Sequence, residues 1–105
     1  MAVDKDYAMQ LGRAWAQHRE NNNLAAITEF NAILKQSAEN IDALYGLGLA
    51  LRAQGQREDA ISNFRSALQL VENALVLEPG KDRFEMMHRM ISQRLTELDA
   101  PILPR

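Results

Sequence analysis

The fold class predicted by this 105-residue sequence is all-α: five helices in antiparallel succession, with no sheet. Three observations predict it. Apolar residues recur at i, i+3 and i+4 in segment after segment, and none alternates with period two. Ala, Leu, Gln, Glu and Arg, all good helix formers, dominate a chain with only 3 prolines and 5 glycines. The chain also nearly repeats itself: "AAITEF" and "DAISNF" set Ala26, Ile27 and Phe30 against Ala60, Ile61 and Phe64, each 34 residues on. Such a period marks stacked helical hairpins, since one hairpin cannot bury its apolar stripe alone.

The first helix is expected over about residues 5–20, capped by Asp4, with Tyr7, Ala8, Leu11, Ala14 and Trp15 on one stripe. "ENNN" breaks it, because asparagine side chains compete for backbone hydrogen bonds and tolerate turn geometry. Asn23 is then expected to cap a second helix, about 24–36, whose stripe is Ala26, Ile27, Phe30, Ile33 and Leu34. Asn40 is a good cap for a third, about 41–54, which Gly55 ends. The fourth begins at Arg57 and carries Ala60, Ile61, Phe64, Ala67, Leu68, Val71, Ala74 and Leu75 without interruption. Pro79 and Gly80 stop it. A fifth follows over about 82–98 with Phe84, Met87, Ile91, Leu95 and Leu98 inward, and Pro101 forbids much continuation.

The repeat reaches into the preceding helices. Leu11-Gly12 with Trp15 matches Leu47-Gly48 with Leu51, now 36 residues apart, the two extra residues falling in the "ENNN" turn. Small residues (Gly12, Gly48, Ala26, Ala60) are expected where helix backbones approach closely, with Phe30 and Phe64 filling the space a turn away. In this order the residues resemble the tetratricopeptide repeat family, whose pattern is Trp-x2-Leu-Gly-x2-Tyr, then Ala-x3-Phe, then a closing proline. Unit two, about 41–79, has Leu44, Leu47-Gly48, Leu51, Ala60, Phe64 and Ala67 at those places. Unit one, about 5–38, keeps Leu11-Gly12, Trp15, Ala26 and Phe30, but has Ala8 at the Trp place and Ala38 at the proline place. The resemblance covers roughly residues 5–80. It implies a five-helix antiparallel α-α superhelix, two units and a capping helix, in one domain over 1–105.

The family's second helix closes on Ala-Leu-x3-Pro. In "SALQLVENALVLEPG", residues 66–80, that ending starts at "ALQLVE" and is completed by "ALVLEP" seven residues later. Seven residues are two turns, so the stripe keeps its face and the fourth helix lengthens by about 10 Å. The extension needs a cover. One cover is the fifth helix, long enough to lie along it. The other is a second copy of the chain: Leu70, Leu75 and Leu77, with Met86 and Met90 on the outer face of the fifth helix, form the expected self-association surface of a homodimer. The argument for it is that two units and a helix fall short of the roughly three units a stack usually needs.

Composition narrows the chemistry. A formal charge of −2 with interspersed signs gives no nucleic-acid footprint. Cysteine is absent, which removes disulfides and thiolate chemistry. The opening residues lack the apolar core of a secretory signal and no window is apolar enough to span a membrane, so a soluble, cytoplasmic chain is expected. His18 and His88 stand without the companions a metal site needs, and no glycine-rich phosphate loop or nucleophile motif occurs. No cofactor, no metal and no enzymatic activity are expected. The methionine run in "FEMMHRM" reads as core filling or adaptable contact surface.

The resemblance implies a protein-interaction module, in which the first helix of each unit lines a concave groove that holds a partner segment. On that mapping the groove shows Met9, Arg13, Ala16 and Gln17 from unit one, Tyr45, Leu49 and Arg52 from unit two, and Arg89 from the last helix. Three arginines around Tyr45 suit an acidic or C-terminal carboxylate segment. The competing reading leaves them as the solvated side of three helices, neutralised by Asp42, Asp82 and Glu85. Met9 and Gly46 stand where the family's chaperone-binding clamp has Lys and Asn, so chaperone tails are not expected partners.

Overall fold

The computed structural model describes residues 7–98 and residue 100. Within them run α1 (Ala8–Arg19), α2 (Asn23–Gln36), α3 (Ile41–Ala53), α4 (Arg57–Leu77) and α5 (Asp82–Glu97). The described residues contain no strand. Each helix packs on the next in the chain, and α1 also touches α3. The expected cap Asp4 and the expected stop Pro101 lie outside the described residues. Asn40 caps α3 as its sequence position requires, its Oδ1 accepting from the Ala43 N–H at 3.0 Å. Gly55 and Gly80, with φ of +79° and +81°, take the left-handed turns that follow α3 and α4.

The turn between α1 and α2 differs from expectation. Asn21 adopts the left-handed conformation (φ 67°) and Asn22, not Asn23, occupies the cap position of α2. Asn23 is already helical and buried. Its Oδ1 lies 2.9 Å from His18 Nδ1, and its amide donates to Asn21 Oδ1 at 3.4 Å. A buried amide must find partners, and Asn23 finds them at the end of α1, where they pin the turn.

Packing between the hairpins rests on two phenylalanines set against two glycines. Phe30 and Phe64 are fully buried. A Cβ on Gly48 would come within 2.6 Å of the Phe64 ring, and one on Gly46 would overlap the Phe30 ring. A hydrogen in place of a side chain therefore lets each ring lie flush against α3. Fully buried Ala14, Ala26, Ala50, Ala60 and Ala67 belong to the same core. An aromatic chain follows the seam: Trp15 meets Phe30 edge-on (centroids 5.2 Å apart, 78° between planes), Trp15 reaches Tyr45 at 6.3 Å, and Tyr45 reaches Phe64 at 5.8 Å. Two expectations fail here. Gly12 is exposed and a Cβ there would meet nothing within 4 Å, so no close approach requires it. Ala8 is exposed rather than inward: among the described elements α1 packs on α2 and α3, and Ala8 faces neither closely enough to be buried.

α4 is 21 residues long against 13 for α3, so at 1.5 Å per residue it is about 12 Å longer. α5 runs antiparallel along it. The register is fixed at one end by the Arg57 Nη2 donating to the Leu98 carbonyl at 2.6 Å, and further along by His88 Nε2 with Glu72 Oε2 at 3.4 Å. Met87, Ile91 and Leu95 are buried, and Leu70, Leu75, Phe84 and Leu98 are partly buried against the same core. The end of α4 outruns this cover: Val76 and Leu77 stay 80% and 82% exposed.

Candidate functional site

Two ion pairs join α3 to α5 and set their relation. Asp42, at the start of α3, meets Arg83, at the start of α5, at 3.1 Å. Arg52, near the end of α3, meets Glu97, at the end of α5, at 2.7 Å. The two helices thus run parallel and form the walls of a cleft of about 360 Å³. Its lining is apolar: Tyr45 and Leu49 come from α3, Met86, Met87 and Met90 from α5, and Trp15 closes the side formed by α1. Asp42 and Arg83 stand at one end of it.

Seen from the expected residues, the groove is narrower and more apolar than its arginines implied. Tyr45 and Leu49 line the cleft. Arg52 is tied across to α5, and Arg13 pairs with Glu29 of α2 at 3.6 Å. Gln17 accepts from the Asn22 side-chain amide at 3.1 Å. Met9 is well exposed and Ala16 half-buried outside the lining, and Arg89, exposed on α5, is likewise not part of it. Asp42 neutralises Arg83 rather than any of the three expected arginines.

The proposed self-association residues are not gathered on one surface. Leu70 and Leu75 pack against the core and Leu77 is free at the end of α4. Met86 and Met90, expected on the outer face of α5, instead line the cleft beside Tyr45. The reason is helical phase: with Met87 and Ile91 buried against α4, residues 86 and 90 turn toward α3. That α5 repeats the role of α1 and α3 was the available signal for this, since it is the third helix on the same side of the pile.

Glu97 is the electrostatic centre of the far end. Its Oε1 takes the Arg52 hydrogen bond at 2.7 Å and its Oε2 one from Arg94 Nη2 at 2.8 Å. Desolvation alone would raise its pKa. Hydrogen bonds from Arg52 and Gln93, with the charges of Arg94 and Arg52, outweigh that and hold the carboxyl below the ordinary glutamate value. A carboxyl whose pKa falls on folding stabilises the fold above its unfolded value, and the contribution is lost as pH drops through the lowered one. Glu97→Gln is therefore expected to melt below the parent at neutral pH and together with it in strong acid. Thermal melts at the two pH values check this.

Residues 41–79, which are α3, α4 and the stop that follows, match the tetratricopeptide repeat family. This segment is a tetratricopeptide repeat. No curated protein and no solved structure matches the chain. Tetratricopeptide repeats are in general non-enzymatic units that mediate protein–protein interaction and stack to present concave binding surfaces. The tetratricopeptide repeat here supplies one wall of the cleft through α3, and its lengthened second helix supplies the bed on which the other wall, α5, lies. Among the described residues no helix is long and apolar enough to cross a membrane, and no group of three or more acidic or histidine side chains could hold a metal ion.

Proposed function

We propose that the chain is an interaction module, a single helical-repeat domain, that docks a segment of a partner protein in the cleft between α3 and α5. The observation that carries this reading is the unfilled apolar lining. Met86 and Met90 remain 49% and 36% exposed beside Tyr45 and Leu49, although Met87 and Ile91 of the same helix are buried against α4. Methionine is unbranched and polarisable, so it adapts to varied apolar side chains, and clefts of this size with apolar walls are where ligands seat. The test is selection of peptides from a displayed random library on the immobilised protein, followed by calorimetric titration. Met86→Glu with Met90→Glu is expected to weaken the selected peptides by at least about tenfold, the scale of one buried aliphatic contact, with helix content unchanged. Unchanged affinity would refute the docking site.

A second reading is favoured by Val76 and Leu77 at the free end of α4: a homodimer formed through that tip. Leu77→Glu is then expected to halve the molar mass in light scattering. A parent chain already monomeric removes the reading.

A further inference from the structure

We propose that the cleft reads its partner segment in one direction: a large apolar side chain beside Met86 and Met90, then, about one helical turn further on, a carboxylate held by Arg52 and Arg94. This rests on the cleft being the docking site.

The two ends of the α3–α5 seam that holds the cleft are charged differently, Asp42 and Arg83 lining the cleft and Arg52, Arg94 and Glu97 lying beyond it. At the starts of α3 and α5 the Asp42–Arg83 pair is balanced one for one, with Asp82 alongside as a further acid. At the far end two guanidinium groups share the single carboxylate of Glu97, Arg52 at 2.7 Å and Arg94 at 2.8 Å. Among the described residues one positive charge is left over there. The neighbouring Arg57 does not compete, since it is bound to Glu58 at 2.7 Å and to the Leu98 carbonyl. Each of the two guanidiniums has five N–H donors, yet each makes one hydrogen bond to Glu97. The Arg94 Nε is moreover buried with no acceptor among the described residues. Buried donors are costly unless bonded, so this end is short of one acceptor and one negative charge.

Spacing sets the length of the motif. Arg52 lies three residues past Leu49, about 4.5 Å along α3, and Arg94 four past Met90, about 6 Å along α5. A carboxylate in their reach therefore follows the apolar side chain by about 5 Å, which is i+3 or i+4 on a helix and i+2 on an extended strand. Reversing the segment would put its acid against Asp42 and Asp82, and like charges brought together oppose that register.

The peptides selected on the protein supply the probe. They are expected to carry a large apolar residue followed two to four positions later by Asp or Glu. Replacing that acid by its amide should weaken binding to the parent chain by about tenfold, as loss of a charge-assisted bidentate contact does. Arg52→Gln and Arg94→Gln should each lose a similar factor. Glu97→Gln is expected to act oppositely and tighten binding several-fold, because it removes the internal competitor and leaves both guanidiniums for the ligand. Melting curves establish that each variant is folded, and the peptide substitutions need no variant at all. Selected peptides without an acid, or Glu97→Gln weakening binding as Arg52→Gln does, would overturn the inference while leaving the docking site standing. Selection of no peptide at all would overturn both.

Discussion

Phe64→Ala is expected to remove about 3–5 kcal/mol of folding free energy. The ring is fully buried, lies flush on Gly48, and stands 5.8 Å from the Tyr45 ring. No neighbour is free to fill the void. Gly48 has no side chain to offer, and Tyr45 is itself held between Phe64 and Trp15. A domain of this size has about 5–15 kcal/mol of stability in total, so this one truncation takes a large share of it. Urea titration reads the effect as a fall in midpoint at unchanged slope. Phe84→Ala is the internal comparison: the same atoms are removed from a ring only partly buried at the start of α5, and the loss should be clearly smaller. Equal losses would mean that Phe64 is not the filler between α3 and α4.

Alanine in place of glycine inside a helix ordinarily stabilises by about 1 kcal/mol. Here the sign is expected to depend on which glycine is changed. At Gly48 the new methyl group would lie 2.6 Å from the Phe64 ring, and at Gly46 it would overlap the Phe30 ring. Both rings are fully buried and cannot withdraw. Overpacking of this kind costs about 1–3 kcal/mol, which outweighs the gain in helix propensity, so both variants should melt lower than the parent. Gly12→Ala meets nothing within 4 Å on an exposed face, and it should melt higher. Three thermal unfolding curves decide the matter. A stabilised Gly48→Ala would contradict the flush contact of ring and helix.

These glycines also mark where the sequence was legible and where it was not. The period from Phe30 to Phe64 gave the two hairpins, because burial imposes the same large residue at the same place in each. The role of Gly12 was misassigned for the same reason: the match to Gly48 is real in sequence, but among the described residues nothing lies within 4 Å of a Cβ at Gly12. Gly46 was read as a missing clamp residue, yet its demand comes from Phe30 in the other hairpin, a contact that only the stacking angle fixes. The longer α4 was readable from the doubled "ALQL" and "ALVL" phrases, since a two-turn insertion preserves phase. Which way Met86 and Met90 turn was not. That depends on how α5 rolls on α4, and the Glu72–His88 and Arg57–Leu98 contacts that set the roll join residues 16 and 41 positions apart.

Trp15 is the only tryptophan in the chain, and it stands at the side of the cleft with Tyr45 6.3 Å away. The molecule thus carries its own optical gauge. Ultraviolet light absorbed by Tyr45 passes efficiently to an indole at such short range, and the colour emitted depends on how much water touches that indole. Anything that settles in the hollow dries it, and a shift of the emission toward the blue would register occupancy without a dye or a label.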